Sequence, residues 1–172
     1  MQLRSIFKGI YSLDGFNPDN QQTPLILVHA LQHDPPKDVQ AHDKYCKKLR
    51  SHVANHPGPL ISLEEWPFLQ ELADFYRMLG RIKDSYYIKT RTMTSDPKEI
   101  GWERIAEFAA IFPKRPVLIG GGYIAPEVFR YLQTGVWEKP INQIFGCLSY
   151  VVYKLSKEAG VDVKIITELT YQ

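Results

Sequence analysis

Cysteine is scarce in this chain: Cys46 and Cys147 are the only two in 172 residues, and they form no C-x-x-C pair. That excludes a disulfide framework and a cysteine-rich metal module, and it fits two reduced thiols in a cytoplasmic protein. Charge of one sign is scarce as well. A net charge of +2 is too small to point to nucleic acid or an anionic membrane as a partner. No apolar run approaches the roughly 20 residues of a membrane span, and the opening Met-Gln-Leu-Arg-Ser has no signal-peptide pattern. Internal repeats and low-complexity segments are missing too. The expectation is one domain over residues 1–172, cytoplasmic, with no membrane or nucleic-acid partner.

What is present reads as a soluble α/β chain, 44% hydrophobic and 23% charged. Residues 25–30, Leu-Ile-Leu-Val-His-Ala, form an uninterrupted apolar run ended by Asp34-Pro-Pro. Such a run suits a strand buried on both faces. Asp38 then caps a helix to about Val53, with Val39, Tyr45, Cys46 and Leu49 as its apolar stripe. Leu60-Ile61 predicts a short second strand. Ser62 and Glu65 match a capping box, which predicts a helix beginning at Ser62 with Trp66, Leu69, Leu72, Ala73, Tyr76 and Leu79 on one face.

Residues 86–92 alternate as a strand, and a helix is expected over residues 97–111. Next comes Pro116-Val-Leu-Ile-Gly-Gly-Gly-Tyr-Ile-Ala-Pro-Glu-Val-Phe-Arg130, around which the chain is organised. It reads as a buried strand, a glycine turn, and a helix with Pro126 in its first turn. A helix over residues 142–159 and a strand over residues 161–169 complete the pattern, with residues 5–12 as a possible edge strand. Alternating strands and helices predict a three-layer, doubly wound α/β fold with a mostly parallel sheet of five or six strands. The runs at residues 25–28, 117–119 and 163–166 should all be parallel, the first two adjacent at the sheet centre.

Three stretches together resemble the isochorismatase-like family of cysteine hydrolases, which includes nicotinamidases. Residues 26–34, Ile-Leu-Val-His-Ala-Leu-Gln-His-Asp, match the family's first strand with its Gln (Gln32) and second Asp (Asp34). Lys89, in Tyr-Ile-Lys-Thr-Arg-Thr at residues 87–92, matches its strand-end Lys. Residues 121–128, Gly-Gly-Tyr-Ile-Ala-Pro-Glu-Val, match the turn that carries its nucleophile. The family's catalytic Asp, however, falls on Ala30, and its Cys on Glu127. Acyl-enzyme chemistry needs a thiolate and an acid/base carboxylate beside it, and both are replaced.

The resemblance therefore implies the family's fold with its hydrolase mechanism lost: a catalytically degenerate protein that binds a small molecule or serves as an interaction scaffold or homo-oligomer. The alternative is an active hydrolase of a small amide or ester with a rearranged site, using Cys147, or Glu127 with Lys89. The site residues it implies are Lys89 and Glu127 at catalytic positions, with Gln32, Asp34, Gly121, Gly122 and Tyr123 around a ligand. The family also holds a non-prolyl cis peptide shortly before its Cys, which here falls within residues 122–124 and is left open. Lys89 and Glu127 should converge as an ion pair, structural before ligand-binding or catalytic.

Three other features have plainer readings. The run Gly120-Gly-Gly122 lacks the spacing of a phosphate-binding loop and fits a tight turn. All five histidines lie in residues 29–56, but nothing there matches the family's metal motif, so no metal and no cofactor are expected. Cys147 reads as a core thiol before a relocated nucleophile. Trp137, Tyr150 and Tyr153 fit core packing as well as a partner surface.

Overall fold

The structure is a computed structural model that describes residues 11–12, 22–31, 38–81, 84–90 and 115–170; of Tyr11, Ser12, Trp66, Lys89 and Thr90 it describes the backbone. The expected helix over residues 97–111, and most of the expected edge strand at 5–12, lie outside these residues. The strands are β1 (Tyr11–Ser12), β2 (Leu25–Val28), β3 (Leu60–Glu65), β4 (Ser85–Thr90), β5 (Val117–Gly121) and β6 (Val163–Ile165). The helices are α1 (Val39–Asn55), α2 (Leu69–Met78), α3 (Pro126–Thr134) and α4 (Cys147–Tyr153). The sheet order is β1-β4-β3-β2-β5-β6, and every pairing is parallel.

β2 is central because its four residues are no more than 1% exposed and can be covered on both faces. Leu25 stands opposite Leu60 of β3 and Leu118 of β5, and Val28 opposite Leu63 and Gly121. This is the adjacency expected for the first two apolar runs. Side chains alternate between two cores. Ile26 and Val28 join Ile61, Leu63, Val128, Leu148 and Val151 on the face covered by α3 and α4. Leu25 and Leu27 join Leu49, Val53, Leu72 and Tyr76 under α1 and α2. The chain winds outward from β2 through β3 to β4, then returns to the other side of β2 as β5. The carboxyl ends of β2 and β5 therefore flank a topological switch point, where a crevice opens.

Four sequence expectations change. α1 is capped as expected, Asp38 Oδ1 accepting from Ala41 N at 3.0 Å, and buries Tyr45, Leu49 and Val53. Val39, by contrast, is 67% exposed, because it sits about a third of a turn off the line through those residues. The capping box does not form: residues 62–65 continue β3, pairing with β4 as far as Glu65 opposite Thr90. The Ser62 hydroxyl meets Tyr76 Oη inside the core instead of capping a helix, which starts at Leu69 after a 3₁₀ turn over Trp66–Phe68.

The last helix starts at Cys147, five residues late, and ends in a wider turn over Lys154–Glu158. Gly146 at φ +102° crosses so close to Tyr123 that a Cβ would lie 2.3 Å from its carbonyl oxygen, which interrupts the helical path. The final strand stops at Ile165. A 3₁₀ turn over Thr167–Leu169 then seats Leu169, fully buried, in the space left by Gly120, where a Cβ would lie 2.7 Å from Leu169 Cβ.

Candidate functional site

At the carboxyl edge of the sheet, β5 runs into the glycine turn and α3. Gly121 has φ +90° and a Cβ there would stand 2.4 Å from Val28 O; Gly122 has φ +47° and a Cβ there would stand 3.1 Å from the same oxygen. Both glycines are thus required by the close passage of the turn over β2, whatever they contribute to a ligand. The turn delivers Tyr123, Ile124, Ala125, Pro126 and Glu127 to one wall of a cleft of about 610 Å³. Lys139, Gln143, Phe145, Gly146 and Cys147 form the other wall.

Leu148 N donates to Tyr123 O at 3.2 Å and Ala125 N donates to the buried Ser149 Oγ at 2.7 Å, so the walls are held at a fixed separation. Tyr123 and Phe145, 49% and 76% exposed, stand among the most exposed large apolar side chains described. All peptide bonds described, including those of residues 122–124, are trans.

Glu127 is paired with Lys139, whose Nζ donates to its Oε1. That hydrogen bond holds the Glu127 carboxyl below its usual range. Lys89 stands on β4, opposite Glu64, and β3 and β2 separate it from β5, about 14 Å at normal strand spacing. β4 and β5 follow one another among the described strands but are not neighbours in this sheet, which the sequence spacing does not reveal. The Lys89 side chain, Gln32 and Asp34 lie outside what is described. Ala30, at the family's Asp position, is 2% exposed and belongs to the α1–α2 core, with its carbonyl accepting from Tyr45 Oη at 2.8 Å. Cys147 packs against the opposite core.

Sequence reasoning missed two acids at the end of β3. Glu64 is fully buried, its Oε1 accepting from Glu65 N at 3.0 Å, and burial pushes its pKa up to about 8. Burial also raises Glu65, whose Oε1 is buried with no hydrogen-bond partner among the described residues. The signal is a Glu-Glu pair directly after an apolar strand, which the capping-box spacing of Ser62 and Glu65 masks. Burial, with a contribution from both acids, raises the Cys147 thiol, which keeps it protonated near neutrality. His29, 3% exposed with φ +46°, ends β2 beside them, its N donating to Leu63 O at 2.9 Å.

The remaining candidates are structural. His42 Nε2 lies 3.4 Å from Cys46 Sγ, His52 bonds Glu168, and His56 Nε2 donates to Thr23 O at 2.8 Å. No three His, Cys, Asp or Glu among the described residues are placed to hold a metal, and no described helix is long and apolar enough to cross a membrane. Trp137 stacks on Tyr131 at 4.2 Å and meets Tyr153 edge-on at 4.9 Å, while Tyr150 is 6% exposed. Comparison of the chain with protein-family models, curated proteins and solved structures finds no match.

Proposed function

We propose that this protein binds a small, largely apolar molecule in the cleft between residues 123–127 and 139–147, and does so without the hydrolase chemistry of the isochorismatase-like family it resembles. The observation that carries this reading is the cleft itself. It lies beside the sheet's switch point, its walls are fixed by Ser149 and Leu148, and two aromatic side chains stand unburied at it. Exposed aromatics at a pre-formed cleft gain by covering a ligand of similar character. Catalysis in the family's manner is disfavoured because Glu127 is taken up by Lys139 and Ala30 is built into the opposite core.

The test is a titration with 2-phenylethanol, followed by NMR on the amides of Tyr123, Phe145 and Cys147. Saturable shifts at these residues are expected, with binding weakened about threefold to tenfold in Phe145→Ala, the worth of one aromatic contact. Shifts that never saturate, or that map elsewhere, overturn the reading. A second reading, a hydrolase of small esters or amides, has one observation in its favour: Cys147 opens a helix and lines the cleft. It requires turnover of p-nitrophenyl acetate that is lost in Cys147→Ser, together with fast alkylation of Cys147 by iodoacetamide. A raised thiol pKa leads us to expect neither.

A further inference from the structure

Resting on the cleft reading above, we propose that its ligand is an α-amino acid with a large apolar side chain, its zwitterionic head lying against Glu127 and Lys139. Both residues line the cleft and both reach solvent, the Lys139 side chain 49% exposed and that of Glu127 20%. They touch one another, Lys139 Nζ donating to Glu127 Oε1. The pair therefore presents a positive and a negative group, side by side, to whatever enters. Among the described residues no other part of the lining carries a charge, since the Cys147 thiol keeps its proton near neutrality.

Backbone donors do not compete for the head of the ligand. At the start of α3, Pro126 has no N–H, Ala125 N donates to Ser149 Oγ, Glu127 N to its own carboxylate and Val128 N to Ala125 O. A ligand carboxylate is thus left with Lys139, whose ammonium has three donors and gives one to Glu127. A ligand ammonium is left with Glu127. Either charge alone gains little, because attraction to one member of the pair is offset by repulsion from the other close by. A molecule carrying both charges on neighbouring groups can lie antiparallel to the pair, so that both contacts are attractive. An α-amino acid has this spacing, its ammonium and carboxylate standing on one carbon. Its side chain is the part that Tyr123 and Phe145, the exposed aromatic residues of the cleft, can cover.

The experiment titrates four probes of one shape at pH 7, L-phenylalanine, phenethylamine, 3-phenylpropionate and 2-phenylethanol, with NMR detection on the amides of Tyr123, Phe145 and Cys147. In the parent, phenylalanine should bind about tenfold tighter than any of the others, the scale of one added charge-assisted contact. Substitution of either charge should then reorder the probes. Lys139→Gln leaves a lone carboxylate and should make phenethylamine the tightest. Glu127→Gln leaves a lone ammonium and should make 3-phenylpropionate the tightest. A pair that serves only the scaffold would not reverse the preference in this way, and a ranking within one variant does not depend on its stability. Where a variant does not fold, the ranking in the parent decides. An alcohol, amine or acid that matches phenylalanine in the parent, or an advantage that survives either substitution, overturns the amino-acid assignment and leaves the cleft reading standing. No binding by any of the four overturns both.

Discussion

Gly121 illustrates how one residue can look like a ligand contact and serve the scaffold. At φ +90°, with Val28 O and N at 2.4 and 2.9 Å from where a Cβ would sit, it lets β5 end against β2. Gly121→Ala should therefore destabilise the protein by about 2–4 kcal/mol, combining a forbidden backbone region with a backbone clash that no rotamer relieves. Urea denaturation would read this, and a variant as stable as the parent would show that the turn can be rebuilt without glycine. Gly135 is the useful control, with a similar φ of +72° and open space around it, so Gly135→Ala isolates the backbone part of the cost. At this scale the sequence was legible where chemistry is local. Asp38 as a cap and Gly120-Gly-Gly122 as a tight turn could be read directly, since each depends on residues within a few positions. The Glu127–Lys139 pair could not, because its partners meet only after α3 and the following loop have folded back.

Among the elements, β3 shows local and tertiary signals in conflict. Ser62 and Glu65 have the spacing of a capping box, yet both belong to a strand held between β2 and β4. Six residues in two ladders outweigh one cap, worth about 1 kcal/mol. The Ser62 hydroxyl is spent on Tyr76 Oη, buried on both sides. Ser62→Ala and Tyr76→Phe should each cost about 1–3 kcal/mol, since each leaves a buried hydroxyl or its lost partner unmatched. The double variant should cost clearly less than the sum, because no orphan remains; a thermodynamic cycle that is simply additive would argue that the two hydroxyls do not interact. The central apolar runs were legible because burial on both faces writes itself as continuous hydrophobicity. Element ends were less so. β6 closes at Ile165 as Leu169 turns in against Gly120, and α4 opens at Cys147 after Gly146 passes Tyr123; in each case the partner is distant in sequence.

For the whole molecule, the parallel sheet determines which charged groups must be buried, and that in turn determines how stability varies with pH. Glu64 is carried into the interior by the extension of β3, and its folded pKa is about 8 against 4.5 for an unburied glutamate. The folded state thus holds a proton that the unfolded chain releases. Stability from this group is complete below pH 4.5 and is lost as pH rises toward 8. His56 acts in the opposite sense: burial lowers it from 6.5, so its contribution is lost as pH falls through that region. Above pH 6.5 His56 is increasingly neutral in both states, and the two cysteines, raised from 9.0, do not yet titrate. The interval from pH 6.5 to 8 therefore reports mainly on Glu64, with Glu65 adding to it in the same direction. One retained proton is worth about 1.4 kcal/mol per pH unit, so the parent should lose about 2 kcal/mol across this interval. Glu64→Gln keeps an acceptor for Glu65 N and removes the larger titration, so its stability should fall much less over the same range, keeping only the slope due to Glu65, and exceed the parent's at pH 8. Chemical denaturation of both proteins at matched ionic strength would measure this, and parallel curves would mean that Glu64 holds its charge inside the fold, matched by a cation close to it.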